Sequence, residues 1–501
     1  MSLAITYARA SVGIHAPLVT VETHITGGLP AFHIVGLAEK AVKESKERVR
    51  SALINAHFEF PDRRITVNLA PADLPKTGGR FDLAIAIGIL AASGQIPRDD
   101  IAQYEFGGEL ALSGELRPIQ GALSYALATN KAHKKLIISN ASAFEASLSG
   151  LKGIYPAAHF LSVCTHLKNC EPLSVFRIPD ISTCTQNIRA NLANVRGQEK
   201  AKRALEVAAA GAHNLLFCGP PGAGKTLLSE CLPGILPPLT RDDAIEIGSI
   251  RSLCGQKIDL DNWLTRPFRA PHHNASAVAL VGGGSPPKPG EISLAHKGVL
   301  FLDELPEFRR DVLEALREPI ESGSITISRA NFQEKFPADF QFLAAMNPCP
   351  CGYHSSPQHD CHCTPNQISR YQRKISGPLL DRIDMHVNIA PLSQQQLMNT
   401  ERFSSERSET VRDRANKAHK IQHSRCQKLN SQLQATELDK YCSLDKACQE
   451  LMKKAFDQFN LSARSYQRIL KVARTIADLA GVAAIREQDI AEALTYRRIT
   501  K

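Results

Sequence analysis

A stretch of eight residues has the composition of a phosphate-binding loop. It matches the pattern G-x-x-x-x-G-K-[ST] at every position and reads Gly219, Pro220, Pro221, Gly222, Ala223, Gly224, Lys225 and Thr226. A strand-like apolar run (214–218) precedes it, and a helix-like run (227–230) follows it. Glycines let successive backbone N–H groups curl around a phosphate at a helix N-terminus. The motif predicts ATP binding, with Lys225 on the β- and γ-phosphates and Thr226 on a magnesium ion.

Three polar residues that end apolar strands complete the predicted nucleotide site. The apolar run 298–302 leads directly into Asp303 and Glu304. This pair predicts a magnesium ligand at Asp303 and, at Glu304, a base that orients and deprotonates the attacking water. Asn347 follows a further strand (340–345) and fits a residue that holds the water or the γ-phosphate. A turn formed by Asn-Pro is the alternative for Asn347.

Two C-x-C pairs follow shortly after this asparagine. The chain has 13 cysteines, and four of them crowd into one short segment as Cys349, Cys351, Cys361 and Cys363. Four thiolates can close a tetrahedral zinc site, although the spacing within each pair is tighter than usual. Nearby histidines compete as ligands, namely His354, His359 and His362. The pattern favours structural zinc on the four cysteines, and reduced thiols without a metal are the alternative.

The composition is that of a globular protein with an excess of positive charge. The 501 residues include 60 Lys and Arg against 50 Asp and Glu, a formal charge of +10, and 43% are hydrophobic. The excess favours a polyanionic partner, most commonly nucleic acid, and a merely basic enzyme is the alternative. The start of the chain lacks a basic leader, and the longest apolar run (83–92) is too short to span a bilayer. We therefore expect a cytoplasmic protein with no membrane partner.

Changes in pattern along the chain predict three domains and a linker. We expect an α/β domain at 1–175, a polar linker at 176–194, an α/β ATPase core at 195–391 and a helical domain at 392–501. An apolar stripe over 466–477 predicts an amphipathic helix in the last of these.

Two segments of the ATPase core are candidates for contact with DNA. The chain between Lys225 and Asp303 is longer than a helix and a strand require, so we expect an insertion whose tip is a flexible Gly/Pro/Ser loop at 274–290. The alternating run 324–328, a turn and a return strand (332–336) predict a hairpin. Its candidate DNA contacts are Arg329 and Lys335 on phosphates and Phe332 on a base, and a hairpin without a ligand is the alternative.

These motifs together resemble AAA+ ATPases of the branch with extra hairpins, which includes magnesium-chelatase motor subunits and replicative helicases. The segments 266–273 (RPFRAPHH), 282–284 (GGG) and 289–296 (PGEISLAH) are similar to those of the bacterial ComM/YifB family of magnesium-chelatase-like ATPases. The resemblance covers essentially the whole chain. It implies a hexameric, ring-shaped DNA translocase that acts on single-stranded and branched DNA, promotes branch migration in natural transformation and works with recombination proteins.

The same resemblance assigns roles to two arginines. The segment 377–384 (GPLLDRID) is similar to the element that carries the family's arginine finger, so Arg382 is expected to reach the γ-phosphate of a neighbouring subunit. The segment 462–464 opens a helix as the family's second sensor does, which implies that Arg464 lies on the phosphate. An exposed ion pair is the alternative for either residue.

Residues 75–123 resemble the catalytic domain of Lon-type proteases, whose fold is shared with domain 2 of ribosomal protein S5. Residues 75–82 line up with the segment that holds the nucleophilic serine, and 106–121 with the segment that leads to the lysine. Arg80 stands at the serine position, and the lysine position falls near Leu123. A serine–lysine dyad needs a hydroxyl and a base, so proteolysis is not expected. Arg80 and Lys76 either bind nucleic acid or form an ordinary polar loop.

The expected fold is therefore α/β: a Lon-protease/S5-domain-2-like domain, an AAA+ P-loop core and an α-helical lid. The leading function is an ATP-driven DNA motor with ATP, magnesium and structural zinc as cofactors. A magnesium-chelatase subunit that drives metal insertion into a porphyrin is the alternative. A Lon-like protease is a third possibility that Arg80 opposes.

Overall fold

The computed structural model describes most of the chain. The described residues are 3–36, 40–177, 190–258, 260–284, 287–329, 332–354, 359–391, 406–459 and 461–497, without the side chains of residues 40, 41, 260, 262, 329 and 332. They divide into two compact units, one of Met1–Thr185 with Arg241–Trp263 and one of Gln186–Thr240 with Leu264–Lys501. Within the described residues, every helix is too short or too polar to cross a membrane.

The described elements are numbered in chain order. The strands are β1 (Leu3–Arg9), β2 (Leu18–Thr26), β3 (Ala31–Val35), β4 (Arg64–Ala70), β5 (Tyr104–Gly107), β6 (Glu109–Leu110), β7 (Leu116–Arg117), β8 (Lys135–Ser139), β9 (Ile154–Ala157), β10 (Leu215–Cys218), β11 (Phe268–Arg269), β12 (Gly282–Gly283), β13 (Lys288–Pro289), β14 (Val299–Leu302), β15 (Ser324–Arg329), β16 (Phe332–Pro337), β17 (Gln341–Met346) and β18 (Met385–Asn388). The helices are α1 (Lys40–Lys43), α2 (Ser45–Asn55), α3 (Asp82–Ala92), α4 (Ala122–Lys131), α5 (Asn140–Ser147), α6 (Phe160–Leu167), α7 (Glu199–Gly211), α8 (Lys225–Ile235), α9 (Arg241–Leu253), α10 (Leu260–Trp263), α11 (Ala277–Val281), α12 (Glu291–Leu294), α13 (Arg310–Ala315), α14 (Arg317–Ser322), α15 (Pro365–Gln372), α16 (Gly377–Leu380), α17 (Ser408–Cys426), α18 (Ala435–Tyr441), α19 (Lys446–Phe459), α20 (Ala463–Leu479) and α21 (Glu487–Thr495).

The first unit contains two main sheets and a central buried helix. One sheet has the strand order β1-β2-β4-β3 and the other the order β5-β8-β9, in which all pairs are parallel. Helix α3 is buried along its whole length. This follows from its sequence, because the run Leu83–Ala92 has no polar side chain to face water.

A segment from the middle of the chain packs on this first unit. Helix α9 comes from residues between the phosphate loop and Asp303, yet it lies against α4. Gly121 N donates to Ser252 O at 3.3 Å. The hydroxyl of Ser252 donates to Glu145, whose carboxylate also accepts from Leu123 N at 3.0 Å. Burial raises the pKa of Glu145. Hydrophobic periodicity shows which face of a helix is buried but not which core receives it, so the sequence could not predict this docking.

The second unit is built on a five-stranded parallel sheet. Its order is β11-β14-β17-β10-β18, and β14 and β17 are buried along their whole length. Parallel strands covered on both faces are continuous apolar runs, which is why the sequence predicted β10, β14 and β17 to within one residue. The sequence did not predict β11 and β18. Since all five strands run the same way, the residues that follow β10, β14 and β17 meet at one edge of the sheet.

The helical C-terminal region packs on this sheet through a buried ionic contact. Arg468 on α20 donates to Asp384, which lies just before β18. Although burial opposes ionisation, Arg468 holds the pKa of Asp384 well below its usual range. On the same helix Thr475 shares a 2.7 Å hydrogen bond with the buried ring of His213. These contacts fix the orientation of α20 and thereby of Arg464 at its start.

The insertion between the phosphate loop and Asp303 is more ordered than its composition suggested. The prediction of a flexible loop at 274–290 was wrong in part, because α11 and the β12–β13 pair form there. The side chain of Ser276 caps α11 by accepting from Ala279 N at 3.1 Å. Gly282 allows close packing of the pair, since a Cβ there would lie 2.4 Å from Lys288 O.

A Gly248→Leu substitution should loosen the docking of α9. A Cβ at Gly248 would lie 2.7 Å from Trp263 Cζ3 and 2.8 Å from Leu123 Cδ2, so a larger side chain overpacks this contact at a cost of about 1–3 kcal/mol. Hydrogen exchange of α4 and α9 amides should become faster than in the unsubstituted protein. The matched control is Gly27→Leu, at a glycine with no atom within 4 Å of its would-be Cβ. Unchanged protection in Gly248→Leu would contradict the docking.

Candidate nucleotide site

The phosphate loop joins β10 to α8 at the carboxyl edge of the parallel sheet. Gly222 and Gly224 have φ values of +75° and +85°, a region that glycine enters without strain. A Cβ at either position would meet no atom within 4 Å, so there is open space beside both glycines. Helix α8 begins at Lys225, and its first N–H groups therefore face the loop. This arrangement suits the binding of an anion.

The Lys225 side chain bridges the loop and the next strand of the sheet. Its Nζ donates to Gly219 O at 2.7 Å, to Pro220 O at 2.9 Å and to Asn347 Oδ1 at 3.0 Å. Burial lowers the pKa of Lys225, and the nearby carboxylate of Asp303 opposes this effect. The backbone also connects the loop to β17, because Gly219 N donates to Met346 O at 3.2 Å. The structure thus brings Asn347 to the loop, next to the ammonium group.

The acidic pair lies at the end of β14, beside the start of α8. Thr226 Oγ1 donates to Asp303 Oδ2 at 2.8 Å, and Asp303 Oδ1 accepts from Glu304 N at 2.9 Å. A hydroxyl and a carboxylate at this distance offer the hard oxygen ligands that magnesium prefers. Glu304 has φ +52°, in the left-handed region that non-glycine residues rarely adopt. The backbone therefore leaves the extended conformation at Glu304, shortly after the strand.

His273, for which the sequence predicted no role, contacts Glu304. His273 Nδ1 lies 3.2 Å from Glu304 Oε2. His273 belongs to the RPFRAPHH segment, which is similar to the corresponding segment of the ComM/YifB family but has no role assigned from that similarity. The pairing of β11 with β14 explains the contact, because the two residues follow the ends of neighbouring parallel strands.

The two predicted arginines converge on one carboxylate. Arg382 Nη2 lies 2.9 Å from Glu321 Oε2, and Arg464 Nη2 lies 3.5 Å from Glu321 Oε1. Arg382 also donates to the carbonyls of Pro378 and Arg317 and is 8% exposed, whereas Arg464 is 55% exposed. Among the contacts of the described residues, neither arginine reaches the phosphate loop of its own chain. Glu321 was missed because nothing in its local sequence marks it.

The predicted hairpin is confirmed as the antiparallel pair β15–β16. Ile325, Ile327 and Phe336 are buried, and Lys335 lies on the exposed side opposite Thr326. Arg329 and Phe332 pair through the backbone at the turn, but their side chains lie outside the described residues. The hairpin also packs on the insertion, since a Cβ at Gly282 would lie 2.6 Å from Ile327 Cδ1.

The four clustered cysteines form a compact group of thiols. Cys349, Cys351, Cys361 and Cys363 place their sulfur atoms within 4.8 Å of one another. Three measured Sγ–Sγ distances are 3.3, 3.6 and 3.7 Å. A hydrogen bond from the backbone of Tyr353 lowers the pKa of Cys351 to about 6. Although a backbone hydrogen bond opposes this in each, burial and the neighbouring thiols raise the pKa of Cys361 and of Cys363.

The cysteine segment also rests on the phosphate loop. Gly352 has φ +86°, and a Cβ there would lie 2.6 Å from Pro221 Cδ and 3.8 Å from Asn347 Cγ. Only a glycine fits this approach without displacing the loop. The shape of the cysteine segment therefore limits the positions that the loop can adopt.

Comparison with known proteins agrees with the geometry of the site. Family models match three successive parts of the chain: subunit ChlI of Mg-chelatase at 21–142, magnesium chelatase subunit ChlI at 191–397 and the subunit ChlI C-terminal model at 405–497. The 67 kDa magnesium-chelatase subunit of Chlorobaculum parvum is 24% identical over 25% of this chain and 18% of its own length.

Two relatives match from end to end. Competence protein ComM of Haemophilus influenzae is 50% identical over 100% of this chain and 98% of its own length. A protein named YifB from Salmonella typhimurium is 47% identical over the same shares. The chain therefore belongs to the ComM/YifB family of magnesium-chelatase-like AAA+ ATPases.

Proposed function

We propose that this protein is an ATP-driven DNA translocase that works as a hexameric ring on single-stranded and branched DNA. It extends heteroduplex by branch migration during natural transformation, together with recombination proteins. The observation that carries the proposal is end-to-end similarity to a competence protein in a chain whose phosphate loop, acidic pair and strand-end asparagine meet at one edge of a sheet.

Each residue of the nucleotide site has a chemical role in this proposal. The eight loop residues bind the ATP phosphates, and Lys225 exchanges its carbonyl partners for phosphate oxygens. Thr226 and Asp303 would hold magnesium, which would neutralise charge that develops on the γ-phosphate. Glu304 accepts the proton of the attacking water. Asn347, already beside Lys225 Nζ at 3.0 Å, holds the water or the γ-phosphate.

The convergence of the two arginines supports a site that is completed between subunits. Arg382 and Arg464 share Glu321 rather than contacting the loop of their own chain. The exposed pair of Arg464 with Glu321 contributes only about 0–1 kcal/mol, so this guanidinium group can exchange the carboxylate for a phosphate. Arg382 is buried and must leave Glu321 and two carbonyl partners to reach a neighbouring subunit. A guanidinium fork suits the spread charge of the transition state. In this arrangement Arg382 is the arginine finger that contacts the γ-phosphate of a neighbouring subunit, and Arg464 assists it.

The two hairpins form the proposed DNA-contacting surface. Lys335 is exposed on β16, and Arg329 and Phe332 occupy the turn of the same hairpin. The contact between Gly282 and Ile327 joins this hairpin to the insertion, so both can respond together to a bound strand. Phosphate contacts by Arg329 and Lys335 and stacking by Phe332 account for binding that does not depend on base sequence.

We assign to the N-terminal domain a Lon-protease/S5-domain-2-like fold that has lost its catalytic dyad. The contact between Arg80 Nη2 and Gln120 O at 3.0 Å supports the alignment, because it joins the neighbourhoods of the serine and lysine positions. Arg80 is buried, and burial lowers its pKa to about 10. Lys76 is also buried and donates to Pro71 O. Their burial favours a structural role over direct contact with DNA.

The cysteine cluster is proposed to hold one structural zinc ion. Four thiolates on a tetrahedral zinc at about 2.3 Å lie about 3.8 Å apart, close to the measured sulfur separations. The ion would hold two distant C-x-C pairs together and so fix Gly352 against Pro221. His354, His359 and His362 remain outside this ligand set.

A magnesium-chelatase subunit is the second candidate, favoured by the descriptions of the matching family models. The similarity to the Chlorobaculum subunit, however, covers a quarter of this chain, whereas the similarity to the competence protein covers all of it.

ATP hydrolysis by the purified protein should rise severalfold with single-stranded or forked DNA. It should not respond to porphyrin partner proteins or to casein. The Lys225→Ala variant should lose hydrolysis with and without DNA, because the loop then lacks its phosphate-binding ammonium group. A rate of ATP hydrolysis that does not change with DNA but rises with porphyrin partner proteins would favour the magnesium-chelatase function.

Metal analysis should find about one zinc per chain. The Cys361→Ser variant should lose it, because three thiolates leave the tetrahedral site open. The matched control is Cys170→Ser, which removes an exposed cysteine from outside the cluster and should keep the metal. A chain that is purified without zinc and does not take it up would refute the site.

A further inference from the structure

We propose that a basic groove in the second unit binds the phosphate backbone of a single DNA strand. The inference rests on the proposed motor function and deepens it, because it assigns a DNA-contacting surface outside the two hairpins. The groove is open to solvent and has a volume of about 740 Å³.

Two segments that follow neighbouring strands form the walls of the groove. The first wall follows β14 and contributes Glu307, Phe308 and Arg310, and the second wall is α15, which follows β17 in the chain. Strands β14 and β17 pair in parallel, so both segments leave the sheet at its carboxyl edge. Lys374 Nζ lies 3.0 Å from Glu307 Oε2 and joins the two walls. The groove lies beside the nucleotide site, because Glu307 N donates to Glu304 O at 2.7 Å.

Helix α15 presents one polar face to the groove. A capping box fixes its start, in which Gln367 N donates to Thr364 Oγ1 at 3.3 Å and Thr364 N donates to Gln367 Oε1 at 2.9 Å. Tyr371 is buried, and Gln372 Nε2 donates to Pro348 O at 3.2 Å, so the helix cannot rotate freely. The residues that line the groove recur every three or four positions, as one helical face requires: Asn366, Ser369, Arg370, Arg373 and Lys374.

The groove carries more positive charge than its own carboxylate balances. Its charged lining residues are the cations Arg310, Arg370, Arg373 and Lys374 and the carboxylate Glu307. Within the part of the chain that the structure describes, the side chains of Arg370 and Arg373 are exposed and make no hydrogen bond or ion pair. The pair of Lys374 with Glu307 is itself exposed, and such pairs are weak. A polyanion would therefore neutralise the groove and displace Glu307 from Lys374.

The chemistry of the lining favours a sugar–phosphate backbone. The guanidinium groups of Arg370 and Arg373 match the oxygens of a phosphate with two parallel N–H donors each. Asn366 and Ser369 add the neutral donors that commonly contact DNA phosphates. Phe308 is 4% exposed, so its ring offers no face on which a base could stack. We therefore expect binding that follows the backbone and does not depend on base sequence.

Equilibrium binding of a fluorescent oligothymidine, with a non-hydrolysable ATP analogue present, tests the groove. The double variant Arg370→Ala/Arg373→Ala should raise the Kd about tenfold at physiological salt. It should also reduce the slope of log K against log salt by about 1.4, since each phosphate contact of a single strand contributes about 0.7. ATP hydrolysis without DNA should be unchanged. The matched control Lys453→Ala/Lys454→Ala, at two exposed lysines of α19, removes the same charge and should keep the Kd.

A second variant shifts the same measurement in the opposite direction. Glu307→Gln removes the carboxylate that competes with phosphate for Lys374, so the Kd should fall severalfold. Its matched control is Glu450→Gln, at an exposed carboxylate of α19, which should not change the Kd. A higher Kd in Glu307→Gln would contradict the competition and with it the proposed site.

Three further outcomes would overturn the proposal, and light scattering of each variant separates them. If the unsubstituted protein binds DNA and the arginine double variant binds it equally well, the groove is not the site, although the motor remains. Equal losses in the arginine and lysine double variants would mean that net charge alone matters. Loss of assembly in the arginine double variant would assign the groove to a contact between copies of this chain. An unsubstituted protein that binds no DNA would refute the motor and the groove together.

Discussion

The link between the phosphate loop and the end of β17 is the interaction on which the nucleotide site depends. Lys225 Nζ donates to Asn347 Oδ1, and Gly219 N donates to Met346 O. The side chain and the backbone thus join two neighbouring parallel strands at their carboxyl ends. Because β14 lies on the other side of β17, the same edge also receives Asp303 and Glu304. A parallel sheet with this strand order is sufficient to assemble residues that are far apart in sequence.

Other parts of the second unit limit how this edge can move. The cysteine segment lies against Pro221 through Gly352, and the helical region is tied to the sheet through Arg468 and Asp384. Both contacts act on the backbone around the site rather than on the nucleotide. Helix α9 follows the phosphate-loop helix α8 in the chain but packs within the first unit.

Sequence patterns predicted the elements of the site well because each depends on local chemistry. Buried parallel strands are continuous apolar runs, and the loop needs glycines followed by Lys225. The features that the sequence did not predict depend on contacts between residues that are far apart in the chain. His273 and Glu304 meet only because β11 and β14 are neighbours. The short helix α11 was missed because small residues between glycines and prolines were read as a loop, although the side chain of Ser276 caps a helical turn there.

We propose that ATP hydrolysis at the carboxyl edge of the parallel sheet moves DNA strands. The most direct measurement is branch migration of a synthetic four-way junction by the unsubstituted protein and by a Glu304→Gln variant, which keeps the shape of the base but cannot accept a proton. We expect the unsubstituted protein to convert the junction only with hydrolysable ATP, while Glu304→Gln binds ATP and the junction but leaves the junction intact. Conversion by Glu304→Gln at an undiminished rate, or no conversion by the unsubstituted protein under conditions in which it hydrolyses ATP, would contradict it.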